Sequence, residues 1–150
     1  MVNPATRELW ETEHGPQGGD EINTPEAGKN YGCVAIVHGI DYPGATIAQG
    51  ITEQAGMEQP HYSGDPVIAP SGLAFYTGTL FPQWRAALFV GALRGQFRDR
   101  LTMNGKRVVA EEPLLVDENA RVRDVRMGPD GAVYVLTDNG KLLKLSPLRK

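Results

Sequence analysis

Cysteine is nearly absent: Cys33 stands alone in 150 residues. That excludes an internal disulfide and a cysteine-based zinc centre. An excess of one charge is lacking too, with Lys+Arg 15 against Asp+Glu 18 and a net charge of −3. Nothing in that balance suits a nucleic acid, and no basic amphipathic run suits a membrane surface. No apolar run approaches the roughly 20 residues of a spanning helix. Met1 to Leu9 holds no apolar core of a signal peptide. Nucleotide and hydrolase signatures are missing as well: there is no G-x-G-x-x-G, no P-loop and no serine in a G-x-S-x-G elbow. His14, His38 and His61 show no spacing for a metal site or a nucleophile–base pair. His38 closes an apolar stretch and reads as structural.

What the chain has in quantity is turn formers, 18 Gly and 11 Pro, beside an ordinary hydrophobic fraction of 41%. That mixture favours short strands joined by loops over a helical bundle. The length suits a single domain, 1–150, able to bury a core. Val2 to Trp10 reads as a turn running straight into a strand, an opening expected of a segment cut from a longer domain.

The second half alternates apolar strands with turns. Leu73 to Tyr76 is followed by Thr77-Gly78, and Leu88 to Val90 follows the Phe81-Pro82-Gln83-Trp84 turn. Arg98 to Met103 ends in Asn104-Gly105, a strong hairpin signal, with Arg107 to Ala110 returning. The pattern restarts with Val122 to Met127, the Gly128-Pro129-Asp130-Gly131 turn, Val133 to Leu136, Asp138-Asn139-Gly140, and Leu142 to Leu145. Leu88 and Val133 lie 45 positions apart, close to the roughly 40–50 residue period of four-stranded propeller blades. The second half therefore reads as about two blades, with a β-sandwich as the alternative. The first half differs. Glu11 to Asn23 is polar and glycine-rich, Asp41 to His61 is a long connection, and Val34 to Val37 is the one clear strand between them.

Three clusters could carry chemistry. His14-Gly15-Pro16-Gln17-Gly18-Gly19-Asp20-Glu21-Ile22-Asn23 joins sharp glycine turns, which expose carbonyls, to adjacent acids. Calcium takes 6–8 such oxygens; a solvated acidic loop is the plainer reading. Arg121 and Arg123, two apart in a strand, share a face and suit carboxylates. The plainer reading is a solvent-facing strand edge with Asp124 as partner. Gly91-Ala92-Leu93-Arg94-Gly95 breaks a strand into a loop carrying Arg94, a common place for binding groups.

In this order, Leu9 to Asn23, Gly28 to Gly32, Ile68 to Tyr76, Leu88 to Leu93, Arg121 to Val125, Gly128 to Gly131 and Tyr134 to Asp138 resemble the glucose/sorbosone dehydrogenase family. The similarity covers nearly the whole chain and is strongest to its soluble aldose sugar dehydrogenase branch. It implies an all-β fold, a partial six-bladed β-propeller of about three blades of four-stranded antiparallel sheets. The implied cofactors are pyrroloquinoline quinone (PQQ) and calcium (Ca2+). The implied reaction is oxidation of an aldose at C1 to the lactone, with electrons passed to an external acceptor. A base removes the C1 hydroxyl proton, hydride goes to the C5 carbonyl of PQQ, and calcium polarises the quinone.

Carried over residue by residue, the Glu21 carboxylate and the Tyr31 carbonyl resemble ligands of a structural calcium. The Gly15 and Pro16 carbonyls resemble those holding the cofactor's calcium, and Asp41 aligns with a further calcium ligand in part of the family. Tyr42, the Ala92-Leu93-Arg94 loop, Arg121 and Arg123 match positions that contact PQQ. Two departures matter. Cys33-Val34 replaces the family's Trp-Pro beside Tyr31, and the family's general-base histidine motif, which lies in its N-terminal half, has no counterpart here. His14 belongs to the calcium loop and is not that base, so no catalytic residue is assigned. The resemblance also implies the periplasm. An incomplete ring leaves open sheet edges, which invite pairing with a second copy or with the missing half, or leave an inactive calcium-binding fragment.

Overall fold

The computed structural model describes residues 1–33, 35–42, 44–47, 49–94 and 98–148. The chain forms two compact units, Met1–Ala69 and Pro70–Lys150. Among the described residues the regular structure is all β apart from two short 3-10 turns. Among the described residues no helix is long and apolar enough to cross a membrane.

The second unit holds two antiparallel meanders. In the first, β4 (Pro70–Phe75), β5 (Leu88–Ala92), β6 (Arg98–Asn104) and β7 (Arg107–Leu114) pair in chain order. In the second, β8 (Val122–Met127), β9 (Val133–Thr137) and β10 (Leu142–Leu145) do the same. Every residue of β5 is buried, whereas β7 is exposed or half-exposed throughout. The meanders approach each other most closely at their first strands, β4 beside β8. Blades in sequence order, meeting at their first strands, are the partial propeller expected from the sequence.

The core between them is Ala74, Tyr76, Ala87, Phe89, Val122, Val125, Val133 and Val135. Phe81 and Trp84, which start and end a 3-10 turn, stack with ring centres 3.9 Å apart, and Trp84 meets Phe89 edge-on at 5.3 Å. Tyr76 stitches the two meanders together. Its hydroxyl accepts from the Phe81 N–H at 2.9 Å and donates to the Gly131 carbonyl at 3.1 Å.

Turn chemistry explains the hairpins, with one shift. Asn104 pairs with Arg107, so the two-residue turn is Gly105-Lys106, one position later than the sequence reading put it, with Gly105 at φ +62°. In the β8–β9 turn the Asp130 carboxylate accepts from the Ala132 N–H, the Tyr134 hydroxyl and Lys144. The Lys144 ammonium, 2.7 Å away, holds Asp130 down at about 2.

The first unit departs from its sequence reading. Glu11 to Asn23 is a hairpin, β1 (Glu11–Glu13) and β2 (Asp20–Asn23), with β3 (Tyr62–Gly64) on the far side of β2. Its strands are polar but anchored by two apolar side chains, Trp10 and Ile22, at 1% and 4% exposure. Conversely, the apolar stretch after Gly32 is not a strand among the described residues; Val34 lies outside them. The Ala35 and Ile36 N–H groups both donate to the Gly32 carbonyl, at 2.8 and 2.9 Å. That turn buries Ile36 against Gly32, whose bare Cα leaves it room. Ile36 is thus buried by a turn, and no strand forms among the described residues of the run.

Phe89 fills the centre of the second unit with no exposed surface. Phe89→Ala should lower the unfolding free energy by about 3–5 kcal/mol. Urea unfolding at unchanged m-value measures this, and a loss below about 1 kcal/mol would contradict the assignment of the core.

Candidate functional site

In the first unit the site is a loop tied down at nearly every residue. Asp20 is 5% exposed. A buried carboxylate needs partners, and here they are backbone amides. Oδ1 accepts from the Gly15 N–H at 2.8 Å; Oδ2 accepts from Ile68 and Ala69 at 2.6 and 2.8 Å. Gln17 and Ile40 exchange N–H···O bonds of 3.0 and 2.9 Å, and Gln17 Nε2 donates to the Asp41 carbonyl at 3.2 Å. Loop 15–19 therefore lies zipped against residues 38–42. The closeness requires glycine: a Cβ on Gly19 would sit 2.8 Å from the His38 carbonyl carbon, and one on Gly39 would sit 2.9 Å from the Gln17 oxygen.

The sequence-derived ligands fall into place around this loop. Tyr42, 61% exposed, donates its hydroxyl proton to the Pro16 carbonyl at 2.5 Å, so two candidate residues touch. No hydrogen bond reaches the Gly15 or Tyr31 carbonyl among the described residues. The Tyr31 ring folds back over its own turn, its hydroxyl donating to the Thr24 carbonyl at 2.8 Å and accepting from the Glu26 N–H at 3.0 Å. Asp41 caps its own turn, Oδ1 accepting from the Tyr42 N–H at 2.7 Å.

Glu21 lies on β2 directly opposite Glu13 of β1. Burial raises its pKa, and the Glu13 charge pushes the same way. The Asn23 amide and His38 oppose that rise. Asn23 Nδ2 lies 3.1 Å from Glu13 Oε1 and 3.2 Å from Glu21 Oε2, bridging the two carboxylates. Glu11 is raised too, first by burial and then by Glu13. Asn23 is itself 1% exposed, and its Oδ1 has no partner among the described residues. This is an electron-rich patch short of positive charge. Among the described residues no three His, Cys, Asp or Glu side chains converge to hold a metal on their own. A hard cation beside Glu21 would therefore draw on carbonyl and water oxygens, which suits calcium and fits a single carboxylate paired with main-chain oxygens.

Of the histidines, only His38 acts on Glu21. His61 Nε2 lies 2.6 Å from Thr24 Oγ1 and its ring tilts against Trp10, while His14 is exposed.

In the second unit Ala92 ends β5, fully buried; Leu93 is half-buried and Arg94 is exposed. Residues 95–97 of that loop lie outside the described residues. Arg121 and Arg123 are both exposed on either side of the fully buried Val122. The strand register shifts between Val122 and Asp124, so Arg123 is the extra residue of a bulge. That bulge lets Val122 and Val125, three apart, both point inward. The plainer sequence reading is corrected here: Asp124 pairs with Arg126, Nε to Oδ2 3.2 Å, and not with Arg121 or Arg123. Neither of these guanidiniums, nor that of Arg94, has an ion-pair partner among the described residues.

Sequence reasoning missed Asp20's clamp, the Glu13–Asn23–Glu21 bridge and Ser71, whose hydroxyl donates to the Val122 carbonyl at 2.6 Å. No pattern signals the bridge: Glu-Thr-Glu and Asp-Glu-Ile-Asn are almost entirely polar, and only the hairpin register places Glu13 opposite Glu21.

A family model described as glucose/sorbosone dehydrogenase matches residues 1–144. Aldose sugar dehydrogenase YliI of Escherichia coli is 48% identical over 149 residues, covering 97% of this chain and 40% of that protein. The apo-form crystal structure of the soluble aldose sugar dehydrogenase from Escherichia coli superposes with a TM-score of 0.92 at 47% identity, over 99% of this chain and 44% of that one. The PQQ-bound aldose sugar dehydrogenase from Streptomyces coelicolor shares the fold, with a TM-score of 0.63 at 24% identity over 93% of this chain and 40% of that one. The chain thus spans about two fifths of the curated relative's length.

Raised carboxyl pKa values mean that the folded state binds protons more tightly than the unfolded chain does. The stability they confer is present at low pH and is lost as pH rises through the raised values of Glu21 and Glu11. In calcium-free buffer Glu21→Gln should therefore raise the thermal midpoint at pH 7–8, with the gain fading toward pH 4. Scanning calorimetry across that range checks this, and a midpoint lowered at pH 8 would contradict it.

Proposed function

Because this chain belongs to the glucose/sorbosone dehydrogenase family, we propose that it holds calcium and one side of a PQQ pocket in an aldose-oxidising enzyme. The observation that carries the proposal is the pair of exposed guanidiniums, Arg121 and Arg123, which flank the buried Val122 at a strand bulge and have no carboxylate partner among the described residues. PQQ carries three carboxylates, and arginine forks match that chemistry. By the family resemblance Arg94, Ala92 and Leu93 of the second unit would contact the cofactor too, and Tyr42 of the first unit matches a further contact position. PQQ, when bound, supplies the hydride acceptor for an aldose C1 hydroxyl, giving the lactone and passing electrons to an external acceptor.

The calcium part rests on separate support. The Gly15 and Pro16 carbonyls would face the cofactor's ion, on a loop fixed by the Asp20 clamp and the Gln17–Ile40 pair. Glu21 and the Tyr31 carbonyl would take a structural ion, which would relieve the crowding of Glu21 against Glu13, and Asp41 offers one more carboxylate. The proton-abstracting base is assigned to no residue of this chain. Residues 1–150 are in this reading one part of a single propeller domain that works in the periplasm.

A second reading, a non-catalytic part that assembles with a partner, draws support from the outer edge. On the paired strands β9 and β10, Leu136 and Leu142 face each other at 46% and 67% exposure. Edges of this kind pair readily with another strand.

The test is a PQQ titration in calcium buffer, followed by calorimetry, with light scattering on the same samples. Arg121→Ala and Arg123→Ala should each weaken binding by about tenfold to a hundredfold, the worth of a charged hydrogen bond. Unchanged affinity in both variants would overturn the proposed pocket. A monodisperse monomer by light scattering would count against the assembling reading.

A further inference from the structure

We propose that Ser71 is a positioning residue for Arg123, fixing the strand bulge that presents this guanidinium to the cofactor's carboxylates. The inference rests on the PQQ reading above and names a residue that it does not include. Two irregular strands meet at this point. In β4 the register shifts between Pro70 and Leu73, which brackets Ser71 and Gly72; in β8 it shifts between Val122 and Asp124, which brackets Arg123. The two bulges are joined by one short bond, Ser71 Oγ donating to the Val122 carbonyl at 2.6 Å.

That carbonyl belongs to the peptide unit linking Val122 to Arg123. Holding it sets the plane of the peptide, and the plane sets the direction in which Arg123 leaves the backbone. The preceding carbonyl is held as well: Arg121 O accepts from the Asp138 N–H at 3.0 Å. Two successive carbonyls are therefore pinned, one from the neighbouring meander and one from the strand's own sheet.

The surroundings leave the hydroxyl little freedom. A Cβ on Gly91 would lie 2.5 Å from Ser71 Oγ and 2.9 Å from Val122 Cγ1, and one on Gly72 would lie 2.5 Å from the Val125 nitrogen. Bare glycine backbone on β4 and β5 lets the two meanders close to this distance. A bulge re-aims a side chain and is itself an unpaired, deformable element. With Val122 fully buried beneath it, the bulge could relax only at its outer residue, which is Arg123. Ser71 removes that freedom. The hydroxyl needs no contact with the cofactor to matter, since it acts through the backbone of another residue.

The experiment is a double-mutant cycle read by equilibrium PQQ binding in calcium buffer, with thermal midpoints measured in parallel. Ser71→Ala is expected to weaken PQQ binding about tenfold, within the range of coupled neighbours, at temperatures where the variant is fully folded. In an Arg123→Ala background the same change should cost nothing further, because its effect passes through that side chain. Ser71→Thr, which keeps the hydroxyl, should restore most of the affinity. A residue that only stabilised the fold would lower the midpoint and leave the affinity of the folded protein unmoved, and that result would overturn the proposal. So would an equal loss of affinity in both backgrounds. If neither Arg121→Ala nor Arg123→Ala weakens PQQ binding, the pocket assignment itself fails and Ser71's role falls with it.

Discussion

Asp20 places a carboxyl group where little water reaches it. It sits at 5% exposure with no basic side chain paired to it among the described residues. Three backbone amides, from Gly15, Ile68 and Ala69, satisfy it instead. Those donors come from two segments about 50 positions apart in sequence, so one side chain closes the first unit on itself. Removing the carboxylate would strand three half-buried donors at once, a larger loss than any one of the bonds. Loop 15–19 also passes within contact distance of residues 38 and 39, where a side chain on Gly19 or Gly39 would collide.

A comparable constraint operates in the second unit. There the meanders meet through Gly72 and Gly91, with the Ser71–Val122 bond at the junction and a core of valines and aromatics behind it. Close backbone approach distorts both first strands, and the distortion places two arginines outward on either side of a buried valine. Rigid core and exposed charge are thus produced by one local geometry. Edge residues of the same unit, such as Leu142, are left to solvent or to a partner strand.

The second half of the chain was legible from sequence because its signals are local. Alternating apolar residues, Asn104-Gly105, Gly128-Pro129-Asp130-Gly131 and Asn139-Gly140 mark β6 to β10 within a residue or two. Even the misplaced turn is off by one position, since Gly105 and not Asn104 opens the bend. The first half was misread where tertiary burial outweighs pattern. Glu-Thr-Glu looks like a loop, yet it is a strand because Trp10 and Ile22 anchor its hairpin; the apolar stretch ending at Val37 looks like a strand, yet Ala35 and Ile36 turn back on Gly32. The candidate ligands Gly15, Pro16, Tyr42 and Glu21 came from motif resemblance. The groups that hold Gly15 and Glu21 in place, Asp20 and Asn23, act through register and long-range bonds that spacing does not encode.

In the proposed function the ion would take main-chain carbonyls and Glu21, and the cofactor the arginines and Tyr42. Tyr42 hydrogen-bonds the Pro16 carbonyl, so a change at one reaches the other directly. If the ion at Gly15 and Pro16 also touches the cofactor, the two binding equilibria must be linked, and linkage is reciprocal. The most direct measurement is PQQ affinity as a function of free calcium, paired with calcium affinity with and without PQQ. The account predicts that each ligand tightens the other by the same factor, about fivefold or more. PQQ binding that ignores calcium, or no PQQ binding at saturating calcium, would contradict it.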